Sequence, residues 1–70
     1  MAEVRAEMVA NVLKVVAAEG DQIGAGDILV ILESMKLEIP VLAEDAGTIS
    51  AVHVAEGDVV QEGDLIVVVG

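Results

Sequence analysis

Cysteine and all three large aromatic residues are missing from this 70-residue chain, and proline occurs once. Without cysteine there is no disulfide and no thiolate metal site, a composition that fits a reducing, cytoplasmic location. Without Phe, Tyr or Trp the core has to be built from Val, Ile, Leu and Ala, and fourteen valines favour extended structure over helix. Positive charge is scarce too: Arg5, Lys14 and Lys36 stand against thirteen acids, for a net charge of −10. The acids are spread along the chain, so they keep an apolar protein in solution and repel nucleic acid and anionic membranes, neither of which is an expected partner. His53 is the only histidine, which leaves no second ligand for a metal, and none is expected. No run is long enough to cross a bilayer, and Met1 to Glu7 lacks the basic-then-apolar pattern of a leader. Residues 1–70 are expected to form one domain and a monomer.

What is present is one unit written twice. Displaced by thirty-seven residues, 4–32 aligns with 41–69, and eleven of the twenty-nine pairs are identical. Ala18-Glu19-Gly20-Asp21 falls on Ala55-Glu56-Gly57-Asp58, Gly26-Asp27 on Gly63-Asp64, and Ile28-Leu29-Val30 on Leu65-Ile66-Val67. The Gly-Asp pairs read as turns, because glycine reaches positive φ and aspartate hydrogen-bonds nearby backbone. Extended segments are predicted near 4–8, 11–17, 22–24 and 28–34, and again near 38–43, 48–54, 59–61 and 65–69. One copy alone exposes an apolar face, and two copies related by a pseudo-twofold bury each other's. The predicted fold is therefore all-β: a flattened barrel or sandwich of two four-stranded antiparallel sheets. Val12 and Val15, like Ile49 and Val52, sit three apart and break strict alternation at the same place in each copy, which predicts a β-bulge.

Between the copies lies Leu32-Glu33-Ser34-Met35-Lys36-Leu37-Glu38-Ile39-Pro40. Its residues favour helix, but Pro40 stops a helix after two turns, and the flanking runs Ile28–Leu32 and Val41–Ala43 suit buried strands. A hairpin centred on Met35-Lys36 sets Ser34 opposite Leu37 and Glu33 opposite Glu38. Tight hairpins favour Asn-Gly or Gly-X, so Met-Lys between two glutamates is a strained choice, and such departures gather at functional sites. The repeat expects Lys36 at one end of the domain and Met1 and Gly70 together at the other.

Glu33-Ser34-Met35-Lys36-Leu37-Glu38 resembles the Glu-Ala-Met-Lys-Met signature of biotinyl domains, with Ser34 for the alanine and Leu37 for the second methionine. Lipoyl domains, the sister family, carry Asp-Lys-Ala at this turn, so Met35 favours biotin. With the repeat, the resemblance runs from about Val4 to Val69 and is to the small single-domain biotin/lipoyl attachment proteins of bacteria; Val16–Glu19 leaves no room for the thumb loop of some biotinyl domains. It implies that Lys36 is covalently biotinylated by biotin protein ligase, with Glu33, Ser34, Met35, Leu37 and Glu38 read by that ligase. It further implies a biotin carboxyl carrier protein, whose arm moves a carboxyl group from a biotin carboxylase to a carboxyltransferase acting on an acyl-CoA or oxo-acid. The residues themselves supply no catalytic constellation, so a carrier subunit of a biotin-dependent carboxylase is expected and not an enzyme. Two alternatives stay open: a lipoyl carrier of a 2-oxo-acid dehydrogenase, and an unmodified interaction module.

Overall fold

The computed structural model describes residues 2–70. It holds eight strands: β1 (Ala2–Arg5), β2 (Ala10–Val15), β3 (Gln22–Ile23), β4 (Ile28–Ser34), β5 (Leu37–Leu42), β6 (Gly47–Val52), β7 (Val59–Val60) and β8 (Leu65–Val69). They form two four-stranded antiparallel sheets, ordered β1-β8-β6-β3 and β5-β4-β2-β7. Moving each strand on by one repeat turns one order into the other, which is the pseudo-twofold. The register obeys it: Ala2 faces Val69, Glu3 faces Val68 and Val4 faces Val67, as Ile39 faces Leu32, Pro40 faces Ile31 and Val41 faces Val30.

Sequence identity at the turns becomes identical bonding. In each copy a glycine sits at φ near +90°, Gly20 at 89° and Gly57 at 92°, in the third position of a four-residue turn. The following aspartate closes the turn twice: Asp21 N–H donates to Ala18 O and its Oδ2 accepts from Ala18 N–H, while Asp58 does the same with Ala55. Each turn then grips the other copy. Gly20 N–H donates to Ile49 O, and Gly57 N–H donates to Val12 O, at 2.8 and 2.9 Å.

The predicted bulges fall where the spacing put them. Pairing of β2 with β4 slips between Val12 and Lys14, and of β6 with β8 between Ile49 and Ala51, leaving Leu13 and its equivalent Ser50 as the extra residues. A second symmetric pair of slips, at Leu29 and Ile66, was not predicted. It explains why Leu29-Val30 and Ile66-Val67, adjacent in sequence, are all fully buried. Together with Val12, Leu32, Ile49 and Val60 they make an aliphatic core, each burial contributing about 1.5–3 kcal/mol.

One strand is misplaced in the sequence reading. β1 spans Ala2–Arg5 and not 4–8, because at Ala6 the backbone leaves the ladder for the opposite turn: Ala6 N–H donates to Asp64 O and Ala6 O accepts from Gly63 N–H, both at 2.8 Å. β2 likewise ends at Val15, before two N–H groups, of Val16 and Ala17, converge on Leu29 O. Of the expected meeting of the termini, Met1 lies outside the described residues, and Ala2 pairs with Val69 beside Gly70.

Candidate functional site

β4 and β5 form the longest hairpin, and its register is the predicted one: Ser34 faces Leu37 and Glu33 faces Glu38. The two residues between them turn the chain. Met35 has φ 53° and Lys36 φ 65°, and they are the described non-glycine residues with positive φ. Positive φ at both central positions defines the type I′ turn, whose twist matches the strands it joins. Asparagine and glycine adopt it at little cost, whereas an L-residue with an ordinary side chain pays about 1–2 kcal/mol there. The strain is borne because the long β4–β5 ladder holds the ends of the turn together on both sides.

Exposure rises toward the tip. Glu33 and Ser34 are half-buried at its base, and Lys36 and Glu38 are exposed. Met35 is 92% exposed and Leu37 66%, the most exposed large apolar residues among the described residues. All six residues singled out in the sequence are thus brought together on one hairpin. Among the described residues the only ion pair joins Arg5 to Glu3, so Lys36 Nζ has no fixed carboxylate partner despite its acidic neighbours. Glu33 and Glu38, directly opposed like charges, cost stability and mark the outer face of this sheet with negative charge.

The register adds a residue that the sequence reading did not include. Asn11 lies opposite Glu33 on one side and Val59 on the other, so the outer face below the tip carries a row Glu38–Glu33–Asn11–Val59. Asn11 is twenty-five residues from Lys36 in the chain, and nothing in its local sequence signals the proximity. Lys14, the other lysine, is exposed within β2, paired across to Ile31, and has no turn to lift it.

No cavity surrounds the lysine. A cleft of about 450 Å³ opens between β1 and β5 and is lined by residues such as Val4, Leu32, Ile39 and Val69, and by none of Glu33 to Glu38. An exposed primary amine on a strained tip, with no groups converging on it, is suited to being acted upon by other proteins. The fold and this tip make a scaffold that holds Lys36 out to solvent.

The chain belongs to the biotin/lipoyl attachment family: the family described as "Biotin-requiring enzyme" matches residues 2–69. Among its relatives is the "Biotinylated protein TB7.3 homolog" of Mycobacterium leprae, 71% identical over 48 residues, a match covering 69% of this chain and 68% of that protein. Among solved structures, the urea carboxylase of Kluyveromyces lactis superposes with a TM-score of 0.91 at 36% identity over 99% of this chain and 6% of that one. The lipoyl domain of the 2-oxoglutarate dehydrogenase complex from Azotobacter vinelandii superposes with a TM-score of 0.83 over 97% of this chain and 94% of that domain. At 24% identity this last likeness is one of fold alone.

Proposed function

We propose that this protein is a biotin carboxyl carrier in which Lys36 is the residue loaded by biotin protein ligase. The observation that carries the reading is the tip itself: Lys36 stands at φ 65° between the two most exposed large apolar side chains among the described residues. A strained turn with apolar residues in water is poor for stability, and both features are accounted for if a ligase reads them. Support comes from the relative named as biotinylated and from the superposition on a urea carboxylase. A lipoyl domain shares this fold, so the choice of biotin rests on the tip, where Met35 and Leu37 flank Lys36 in place of the Asp and Ala that the resemblance gives for lipoyl domains.

Biotin, when attached, supplies a ureido nitrogen that takes up and releases a carboxyl group between biotin carboxylase and carboxyltransferase partners. The chain's own contribution is mechanical. Lys36 provides the amine that attacks the ligase's biotinyl-adenylate, the amide C–N bond forming as the acyl C–O bond to AMP breaks and AMP leaves, and its four methylenes provide reach. Val12, Leu29, Val30 and Leu32 anchor the base of the hairpin in the core, so flexibility is confined to the arm. Tethering turns the encounters with two partner sites into local events at high effective concentration. Row residues Glu33, Glu38 and Asn11 give those partners an acidic, polar face to read beside the arm.

Incubation with a biotin ligase, biotin and ATP, followed by streptavidin blotting and intact mass, tests the reading. One biotin is expected, absent from Lys36→Ala. An unmodified product would leave the interaction-module reading, and lipoate incorporation in place of biotin would support the lipoyl alternative.

A further inference from the structure

Methionine beside the acceptor lysine has a second chemical property besides its apolar surface. Among the described residues the chain has two sulfur atoms, those of Met8 and Met35, and no cysteine competes with them for oxidants. Met8 is 40% exposed, whereas Met35 is 92% exposed at the crest of the turn. The Met35 backbone is held at φ 53°, which tips its side chain out with no packing partner to shield the sulfur. A thioether presented in this way is the kind that hydroperoxides oxidise first.

We propose that Met35 is a reversible oxidation site, and that sulfoxide at this position blocks loading of the adjacent Lys36; the second half rests on the carrier reading above. In the step, a lone pair of Met35 Sδ attacks the terminal oxygen of a hydroperoxide. The S–O bond forms as the O–O bond breaks, and the departing oxygen leaves as water or an alcohol after taking up the peroxide proton. Sulfur loses two electrons and the peroxide gains them. The product has a polar, chiral S=O group where the turn had an apolar thioether, and a thiol-dependent sulfoxide reductase returns it to methionine. The backbone is untouched, so fold and turn persist while the surface read at the lysine changes. A ligase surface shaped for an apolar side chain must bury that oxygen without a partner, which is enough to slow loading by about tenfold or more.

The chain allows a clean test, because trypsin cuts after Arg5, Lys14 and Lys36 and so places Met1, Met8 and Met35 on three different peptides. Unloaded protein is treated with dilute hydrogen peroxide, quenched with catalase, mapped by mass, and assayed for its initial rate of biotin transfer with untreated ligase. Met35 is expected to gain its oxygen about twice as fast as Met8 or faster, following exposure. Wild type and Met8→Leu should then lose loading in proportion to Met35 oxidation, and regain it with sulfoxide reductases acting on both epimers. Met35→Leu, whatever its own starting rate, should load equally before and after peroxide. Fully oxidised Met35 with an unchanged loading rate would overturn the proposal while leaving the carrier reading intact, and so would an equal peroxide effect on Met35→Leu. Failure of untreated wild type to load at all would remove the carrier reading and this proposal together.

Discussion

At the scale of single residues, the tip sets local comfort against presentation. Met35 and Lys36 occupy the left-handed region that Asn and Gly fill readily, and Leu37 is left two-thirds in water. If the flanking residues serve recognition, stability and loading separate on mutation. Met35→Asp with Leu37→Ala should alter unfolding free energy by about 1 kcal/mol or less in a urea melt, since neither side chain is packed and aspartate tolerates positive φ. Initial loading by biotin ligase should fall sharply in the same variant, and a collapsed melt would show instead that these side chains support the core. Lys14 offers the matching control. It lies flat in a bulged strand, so peptide mapping after loading should find biotin on Lys36 and none on Lys14, including in Lys36→Ala.

At the scale of elements, the repeat makes paired predictions. No heavy atom stands within 4 Å of a Cβ built on Gly20 or Gly57, so substitution there meets no steric obstacle and pays for backbone conformation alone. Gly20→Val and Gly57→Val should each lose about 1–3 kcal/mol, and by similar amounts, in denaturant melts. Gly47 is the opposite case. Its φ is not positive, but a Cβ there would sit 2.6 Å from Val69 Cγ1. The equivalent positions in the first copy are Ala10 and Leu32, both buried, so there an alanine stands where the second copy has glycine. Gly47→Ala should therefore destabilise by overpacking, about 1–3 kcal/mol, and a double-mutant cycle with Val69→Ala should recover part of that loss.

At the scale of the molecule, the two copies are interlocked and not stacked side by side. Four of the six ladders, β1–β8, β2–β7, β3–β6 and β4–β5, join a strand of one copy to a strand of the other. The Gly20 and Gly57 turns also bond to the opposite copy's bulged strand. Fragments 1–36 and 37–70, each holding one complete copy, should consequently be unfolded alone by circular dichroism. Mixing them should restore β signal if the interface is specific. Intact protein should melt in a single transition, because no part of the core belongs to one copy.

Local spacing was sufficient for the all-β class, the turn glycines, the bulges at Leu13 and Ser50, and the pairing of Ser34 with Leu37 around Lys36, because each depends on residues a few positions apart. Strand ends and the rest of the site were decided by partners elsewhere in the chain. β1 stops at Arg5 because Asp64 and Gly63 capture Ala6, an event invisible in the residues near Ala6. The bulges at Leu29 and Ile66 were hidden by runs so uniformly apolar that a slip of register leaves no mark on their pattern. Asn11 joins Glu33 and Glu38 only through the β2–β4 register. The sequence therefore determined which residue is lifted at the tip, while tertiary hydrogen bonding between the copies decided what surrounds it, since backbone donors pair with whatever acceptor the opposite copy brings within reach.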